Sequence, residues 1–281
     1  MAYCQPEESI EKDVDNGNIA IAWRNLQLEV REFSGRSLKK KPILRRLNGH
    51  FTANSLNGLI GPSGAGKTTL LDCLSGNARS GICPASEIYL ASTTASTVSY
   101  FIEQHVHENI VGQMEVGQIL RYAFRFKNGV GSSGLMDKHI EKTMGELMLP
   151  ADLLDRPFGK CSGGEQKRIA IGQELMSLKK PRFLFVDEPT TGLDSAAAFQ
   201  VVQCLKSLTE THHITVIASI HAPNHETLSL FDKLYVLAKG GVCIYSGLPQ
   251  QIQPYLEHEI EFKIAAEQPP IEALIRVACN G

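Results

Sequence analysis

The feature that most constrains the fold of this chain is the glycine-rich stretch 61–69, with the sequence Gly-Pro-Ser-Gly-Ala-Gly-Lys-Thr-Thr. It follows the apolar run 56–60 and leads into Leu70 and Leu71. This is the pattern G-x-x-x-x-G-K-[ST] in its expected context of strand, turn and helix. Glycines allow backbone N–H groups to approach an anion closely, and the positive end of the helix dipole adds to the attraction. The stretch therefore predicts a phosphate-binding loop at the start of a helix.

Two side chains of this loop are predicted to contact a bound nucleotide and its metal ion. Lys67 would reach the β and γ phosphates as a point charge, and the hydroxyl of Thr68 would be a ligand of Mg²⁺. A loop that only connects a strand to a helix is the alternative, and the complete match to the pattern argues against it. The predicted nucleotide-binding residues are Gly61, Pro62, Ser63, Gly64, Ala65, Gly66, Lys67, Thr68 and Thr69.

The composition is that of a globular protein. With 281 residues, 43% of them hydrophobic, the chain is long enough for one large α/β domain or two small ones. Its formal net charge of −2 is unlike that of a general nucleic-acid binder, so we predict no nucleic-acid partner. The seven cysteines are scattered and include no C-x-x-C pair, which indicates a reducing compartment and argues against a disulfide framework or a zinc site.

The N-terminal residues 1–17 are polar and acidic without periodicity, and we expect them to form a disordered lead. They lack the basic and apolar regions of a secretory signal. The longest apolar runs are strand-sized, well short of the ~18 residues needed to cross a bilayer. The chain is therefore predicted not to span a membrane.

The segments around the loop are predicted to be mainly strands and turns. Alternating apolar residues predict strands over 19–23 and 26–30. The basic stretch 36–42 is predicted to be a solvated loop between strands, with a lipid-binding or phosphate-binding patch as the less favoured alternative. Asn57-Gly58 has the composition of a hairpin-type turn. Residues 86–101 are rich in threonine, valine, isoleucine, tyrosine and serine and are predicted to form strands.

The middle of the chain has helical periodicity instead. Apolar residues of 115–127 fall on one helix face, and the same spacing recurs over 140–148. A loop rich in glycine and serine, 129–134, separates the two. About fifty residues without strand signals are therefore predicted to form a helical subdomain, approximately 108–165, inserted into an α/β chain.

The second half returns to alternating strands and helices. Two apolar runs, 183–186 and 214–220, are typical of strands buried inside a parallel sheet. Residues 195–208 are predicted to be helical. The runs 234–238 and 242–245 flank a Lys-Gly-Gly turn and predict a β-hairpin.

The acidic pair Asp187-Glu188 follows the first of these apolar runs. Asp187 is placed to hold Mg²⁺, and Glu188 is the candidate general base that accepts a proton from the attacking water. On its own, such a pair is more often a solvated turn or a helix cap. The apolar run before it, Pro189 after it and the phosphate-binding loop upstream favour the functional interpretation.

The run 161–166, Cys-Ser-Gly-Gly-Glu-Gln, has the S-x-x-E spacing of a capping box and predicts a helix that continues to about Met176. A serine and two glycines at a helix N-terminus are also features of an anion site. The run closely resembles the signature motif of the ATP-binding-cassette (ABC) family, in which Leu-Ser-Gly-Gly-Gln is the commonest form. A serine-capped helix with a glycine-rich entry is the alternative, and the other motifs disfavour it.

The resemblance implies roles for further residues. In this family two domains meet head to tail, and the signature helix of each points at the ATP bound by the other. Gln104 resembles the glutamine that ligates Mg²⁺ and senses the γ phosphate, and Asp194 lies in a run that resembles the loop crossing the dimer interface. His221 resembles the switch histidine that hydrogen-bonds the γ phosphate. The implied catalytic residues are Glu188, His221 and Gln104, the metal ligands are Thr68, Gln104 and Asp187, and the dimer-interface ATP ligands are Ser162, Gly163, Gly164 and Asp194.

Within the family, the chain is most similar to the G subfamily of eye-pigment and sterol half-transporters. The similar segments are 60–71, 188–195, 219–223 and 231–241. In that subfamily six membrane helices follow the nucleotide-binding domain. The resemblance therefore implies a nucleotide-binding domain over 18–265, a junction over 266–281 and a transmembrane domain as partner. It also implies a location at the cytoplasmic face of the plasma membrane or of an intracellular vesicle, through that partner.

The chain departs from the subfamily at two places. Residues 269–273 are Pro-Pro-Ile-Glu-Ala where the subfamily usually has Asn-Pro-Ala-Asp-Phe, and His105 replaces the usual acidic residue after the glutamine. No motif assigns the aromatic residue that stacks on adenine, and the candidates are Phe33 and Trp23.

The predicted fold is thus α/β, a P-loop NTPase with a RecA-like core, an N-terminal antiparallel β part and an inserted helical signature subdomain. The predicted function is Mg²⁺-dependent hydrolysis of ATP at sites shared by two domains, in a homodimer or a heterodimer, to power transport through a membrane domain. The alternatives are a soluble cassette ATPase, a truncated chain that regulates full half-transporters without transporting, or a gene fragment. The sequence does not indicate the transported substrate, because its pocket would lie in membrane helices.

Overall fold

The computed structural model describes residues 18–34, 37–78, 80–91, 98–129, 133–260 and 268–280. The lead that we predict to be disordered, residues 1–17, lies outside this part of the chain. Within it the strands form two sheets, one three-stranded and antiparallel and one six-stranded and mixed. In chain order the strands are β1 (Ile19–Ser34), β2 (Ser37–Thr52), β3 (Leu56–Ile60), β4 (Glu87–Leu90), β5 (Ser99–Ile102), β6 (Phe183–Val186), β7 (Thr215–Ile220), β8 (Lys233–Ala238) and β9 (Val242–Gly247).

The antiparallel sheet is built on one long hairpin. Strand β1 pairs with β2 along its length and with β4 on its other side. The two strands predicted before residue 31 are both parts of β1. This sheet confirms the predicted N-terminal antiparallel part.

The loop predicted over 36–42 is wrong for its described residues, because residues 37–42 belong to β2. Lysines of β2 meet acidic residues of β1 across the hairpin. Lys40 Nζ lies 3.3 Å from Glu29 Oε2, and Lys41 Nζ lies 3.1 Å from Glu32 Oε2. Cross-strand pairs of opposite charge stabilise a strand, although the basic composition alone favours a loop.

The mixed sheet has the order β5-β6-β7-β3-β8-β9. Its strands are parallel except β9, which pairs with β8 as the predicted hairpin. Strands β3, β6 and β7 are buried over their whole length, as the apolar runs of β6 and β7 predict. Because parallel strands end at the same edge, residues that follow β3, β5, β6 and β7 meet at one edge of the sheet, where ligands bind in such folds.

One local prediction about strands is wrong, and another is confirmed by two separate strands. Asn57-Gly58 lies within β3, where Asn57 is fully buried and its Oδ1 accepts a hydrogen bond of 3.0 Å from the Thr52 amide. A Cβ on Gly58 would lie 2.8 Å from Leu234 Cδ2, so close strand packing explains this glycine. The stretch 86–101 is divided between β4 in one sheet and β5 in the other, and residues 92–97 lie outside the described part.

The helices confirm the helical periodicity of the sequence. Between β5 and β6 the described residues contain helices and no strand, as expected of an inserted helical part. Its exact limits as a subdomain stay a prediction. The α-helices are α1 (Lys67–Ser75), α2 (Val116–Asn128), α3 (Ser133–Glu146), α4 (Gly163–Leu175), α5 (Ser195–His212), α6 (His225–Leu228), α7 (Ile252–His258) and α8 (Pro270–Asn280). Short 3₁₀ helices lie at Val106–Asn109, Ala151–Asp155, Phe158–Lys160 and Pro249–Gln251.

Two hydrophobic clusters of the described residues form the core. One of them includes residues of β1, β2 and β3 and fills the space between the two sheets. In that cluster the ring of Trp23 lies 5.0 Å from the ring of Phe51 and 5.1 Å from that of Tyr235. The Trp23 side chain is buried there, with 2% of the residue exposed. Trp23 is therefore wrong as a candidate for stacking on adenine. The side chain of the other candidate, Phe33, lies outside the described part.

Helix α8 packs on the mixed sheet. Ile271 and Leu274 are buried, and the Lys239 amide donates a hydrogen bond of 2.9 Å to the carbonyl of Ala278. The role of 266–281 as a junction stays a prediction. No helix of the described part combines the length and apolar composition needed to cross a bilayer.

Candidate active site

The predicted phosphate-binding loop connects β3 to α1. The three glycines of this loop are required by geometry, Gly64 through its left-handed φ of +76°. A Cβ on Gly61 would lie 2.4 Å from the carbonyl oxygen of Leu237, and Gly66 has a left-handed φ of +98°. Gly66 occupies the N-cap position of α1 and provides no side-chain cap. The first N–H groups of α1 are therefore left for an anion.

Lys67 is buried at the centre of this loop, with 5% of the residue exposed. Its Nζ donates hydrogen bonds to the carbonyl oxygens of Gly61 at 3.0 Å and Pro62 at 3.4 Å. It also lies 3.4 Å from Glu188 Oε1. The loop thus holds a buried cation beside the acidic pair at the end of β6.

Asp187 follows β6 and is buried beside α1. Its Oδ2 accepts a hydrogen bond of 2.8 Å from the Thr68 hydroxyl, and its Oδ1 accepts one of 2.5 Å from the Ser219 hydroxyl. Its amide donates to the Ile102 carbonyl at 2.9 Å. A hydroxyl and a carboxylate in contact are oxygen donors of the kind that Mg²⁺ prefers, so Thr68 and Asp187 fit the ion.

Glu188 has a left-handed backbone, with φ of +46°. Its amide donates a hydrogen bond of 2.8 Å to Ser219 Oγ. Its Oε2 accepts hydrogen bonds from Gln104 Nε2 at 3.0 Å and from the Thr191 hydroxyl at 2.9 Å. A left-handed backbone at a residue other than glycine persists only where surrounding contacts impose it. These contacts hold the carboxylate beside Lys67.

Gln104 lies two residues after β5, at the same edge of the sheet. Its side chain reaches Glu188, and its backbone carbonyl accepts a hydrogen bond of 2.6 Å from Lys167 Nζ of α4. The next residue, His105, is the one that departs from the subfamily pattern. Its Nδ1 lies 2.8 Å from Glu108 Oε1 on the surface.

The predicted capping box at the start of α4 is confirmed. Ser162 Oγ accepts a hydrogen bond of 3.3 Å from the Glu165 amide, and the Ser162 amide donates one of 2.7 Å to Glu165 Oε2. A Cβ on Gly163 would lie 3.0 Å from Leu193 Cδ2, and one on Gly164 would lie 3.2 Å from Ala197 Cβ. The signature run is therefore packed against the start of α5.

Asp194 is the N-cap of α5, and its Oδ1 accepts a hydrogen bond of 2.9 Å from the Ala197 amide. Ser162, Gly163 and Asp194 are exposed on one surface. Across the described residues, no hydrogen bond or ion pair joins them to Lys67 or to the acidic pair. The structure thus forms two groups, one around the loop and one around the signature run.

Comparisons with known proteins show the family of the chain. Residues 44–191 match the family model described as ABC transporter. The chain belongs to the ABC transporter family. It therefore carries an ATP-binding domain of that family, with the predicted P-loop NTPase fold.

The predicted similarity to the G subfamily is confirmed by individual relatives of the chain. It is 33% identical over 258 residues to "ABC transporter G family member 11" of Arabidopsis thaliana, covering 86% of the chain and 34% of that protein. It is 30% identical over 232 residues to "ABC transporter G family member 1" of Petunia hybrida, covering 80% and 35%. It is 30% identical over 253 residues to "Brefeldin A resistance protein" of Schizosaccharomyces pombe, covering 86% and 16%. The chain spans about a third of the length of the G family relatives that it matches.

His221 lies where the family resemblance implies, but outside the hydrogen-bonded network. It follows β7, whose last residue, Ile220, pairs with Ile60 of β3 immediately before the loop. Its side chain is exposed and makes no hydrogen bond within the described part of the ABC domain. Its predicted contact with the γ phosphate stays a prediction.

Sequence reasoning gave no role to Ser219, Thr191 or Lys167, which contact the acidic pair or Gln104. Ser219 connects both acidic residues through one hydroxyl. It was detectable in principle as a buried polar residue in an apolar strand. Lys167 gave no comparable signal, because its partner is a backbone carbonyl far away in the chain.

Proposed function

We propose that this chain hydrolyses ATP to ADP and phosphate, with Mg²⁺, at composite sites formed by two ABC domains. The observation that carries the proposal is the carboxylate of Glu188, which lies 3.4 Å from Lys67 Nζ and 3.0 Å from Gln104 Nε2. A general base must lie within hydrogen-bond reach of the reacting water, and this carboxylate lies beside the loop that would bind the phosphates.

In the proposed reaction, each residue of the network has one task. Glu188 accepts the proton of the attacking water, and Lys67 with the loop amides stabilises negative charge on the phosphates. Thr68, Gln104 and Asp187 would hold Mg²⁺. When bound, this ion neutralises charge on the β and γ phosphate oxygens. His221 would hydrogen-bond the γ phosphate and help to position the water.

The second half of each site is proposed to come from another ABC domain. Support comes from the exposure of Ser162 and Gly163, which within the described residues make no hydrogen bond to Lys67 or to the acidic pair. A head-to-tail pair would place this helix N-terminus against the partner's ATP and Asp194 at the interface. ATP would then be needed for closure, and hydrolysis would release the pair.

The whole protein's task is proposed by similarity to the G family relatives. ATP-driven closure would act on a transmembrane domain, at the cytoplasmic face of the plasma membrane or of an intracellular vesicle.

The test is the steady-state ATPase activity of the purified chain at increasing protein concentration, with Mg²⁺. We expect activity to rise more steeply than linearly with concentration. Glu188→Gln should abolish turnover while an ATP-bound dimer accumulates in size-exclusion chromatography. Glu141→Gln, an equivalent change at an exposed site on α3, should behave like the wild type. Linear dependence, or activity that survives in Glu188→Gln, would overturn the proposal.

A further inference from the structure

Lys167 is a buried lysine that the proposed reaction does not use. It lies in the second turn of α4, the helix that begins at the signature run. Only 7% of the residue is exposed. Lysine is almost never buried without a partner, because removing its charge from water is costly. Its partner here is the carbonyl of Gln104, at 2.6 Å from Nζ.

The surroundings of this lysine point to the active site. Lys167 lines a small cavity together with Glu103 and Asp187. Burial lowers the pKa of its ammonium group below the usual value, and the carboxylates of Glu108 and Glu188 offset only part of this shift. The cation therefore lies near acidic residues at this edge of the sheet and is bound to the backbone of Gln104.

The same helix carries a second buried cation with different contacts. Arg168 Nη1 donates hydrogen bonds to the carbonyl oxygens of Leu147 at 3.2 Å and Met148 at 2.9 Å, just after α3. Arg168 thus fixes α4 to the helical part of the domain, whereas Lys167 fixes it to the glutamine beside the loop. Lys167 and Arg168 are thus adjacent buried cations that hold the same helix to different parts of the domain. Substituting each in turn can distinguish their roles.

We propose that Lys167 is a positioning residue that couples the two ATP sites to which one chain contributes. Its helix starts at Ser162, which faces the partner's ATP, and its ammonium holds Gln104, which faces the chain's own ATP. Ser162 and Lys167 are only five residues apart, at a helical rise of about 1.5 Å per residue. An α-helix moves as a rigid unit over such a short distance. A displacement of Gln104 when nucleotide binds is therefore transmitted to the signature run of the same chain. This inference rests on the proposed function.

The coupling is tested by amide hydrogen exchange of the full chain, dilute enough to be monomeric, with and without AMP-PNP and Mg²⁺. In the wild type we expect slower exchange both in residues 61–69 and in residues 162–168. In Lys167→Met, protection of 61–69 should persist. Protection of 162–168, about fivefold or more in the wild type, should be lost. Lys167→Arg should restore it, because the donor and the charge are kept.

Two controls separate coupling from stability. Lys179→Met removes an exposed lysine after the same helix and should match the wild type. Arg168→Met should lower the melting temperature yet leave the nucleotide-dependent protection of 162–168 intact. If Lys167→Met does not fold, Lys167→Gln replaces it, because the shorter side chain cannot span the same distance.

The outcomes distinguish this inference from the proposed function. Protection of 61–69 without protection of 162–168 in the wild type, or protection of both in Lys167→Met, overturns the coupling and leaves the ATPase proposal in place. Absence of protection at 61–69 in the wild type overturns both. In the ATPase assay, coupling predicts that the Hill coefficient for ATP falls from about 2 towards 1 in Lys167→Met, with the apparent ATP affinity at 61–69 unchanged.

Discussion

Helices α1 and α4 both have glycine at or next to their first residue, and their N-termini are built differently. Helix α1 follows Gly66, which has a left-handed backbone and provides no side-chain cap. Helix α4 follows Ser162, which exchanges hydrogen bonds with Glu165 in a capping box. A capping box satisfies backbone N–H groups that would otherwise lack partners. The first N–H groups of α1 are left for a ligand, whereas those of α4 are partly satisfied within the chain.

The surroundings differ in the same sense. The start of α1 lies beside the buried ammonium of Lys67 and the carboxylate of Asp187. The start of α4 is exposed at Ser162 and Gly163. The charged groups at the start of α1 are held in place by contacts within one chain. The second site has a preformed helix end but needs a partner to enclose a ligand, which agrees with the proposed head-to-tail pair.

The largest expected effect comes from adding a methyl group at the start of α1. In Gly66→Ala, a left-handed alanine costs roughly 1–2 kcal/mol, and its Cβ would lie 2.9 Å from Leu44 Cδ2. We expect ATP affinity at least tenfold weaker by isothermal titration calorimetry, and a lower melting temperature.

Gly163→Ala is the matched change at the other helix. Its Cβ would meet only the end of the Leu193 side chain, at 3.0 Å, and its backbone φ is not left-handed. ATP affinity of the dilute chain should therefore stay at the wild-type value, while concentration-dependent ATPase activity falls. Equal loss of ATP affinity in both variants would contradict the distinction between the two helix ends.

Removal of the α4 cap should have an intermediate effect. Ser162→Ala deletes the oxygen that accepts from the Glu165 amide, at a cost of about 1 kcal/mol of folding stability. We expect a lower midpoint in urea unfolding and a loss of the concentration-dependent ATPase activity, with ATP affinity unchanged. Asn224→Ala removes the equivalent cap of α6, where Asn224 Oδ1 accepts from the Thr227 amide at 2.8 Å. If Asn224→Ala lowers the ATPase activity as much as Ser162→Ala, the effect reflects stability alone.

The smallest expected effect on stability concerns the ionisation of Asp72 in α1, compared with Glu165 in α4. Glu165 of α4 is paired in its cap, whereas the pKa of Asp72 of α1 is raised by burial and by the carboxylates of Asp187 and Glu103. The folded state therefore binds the Asp72 proton more tightly than the unfolded state. Ionised Asp72 lowers stability at neutral pH, and this cost disappears below its unfolded pKa, about 3.9.

Asp72→Asn should thus raise the free energy of unfolding at pH 7, by at most about 1 kcal/mol because solvent screens a partly exposed carboxylate. The gain should shrink as the pH falls towards 4. Urea unfolding of both proteins between pH 4 and pH 7, in EDTA and without nucleotide, measures this difference. A gain that is constant over this range would show that hydrogen bonding of the new amide, and not the charge, is responsible.

The parts of the site that could be predicted are those encoded by short runs of residues. The loop, the acidic pair and the capping box each combine a local spacing with an adjacent apolar run, so local sequence contains the whole signal. Strand β2 could not be predicted over 37–42, because its lysines are paired with residues of another strand. The same reason hid Asn57, whose buried amide is satisfied by neighbours brought together by the fold. Ser219 is marked locally only as a polar residue in an apolar strand, and its partners lie far away in the sequence. Lys167 binds a residue distant in sequence, and no local pattern contains that contact.

The burial of Trp23 has a practical consequence. It is the sole tryptophan of the chain, and it lies between the antiparallel and the mixed sheet, against Phe51 and Tyr235. Its indole emission therefore reports, without any label, on the seam where the two sheets meet. Separation of the sheets would expose the ring to water and shift the emission to longer wavelength, while motion confined to the helical part would leave the spectrum unchanged.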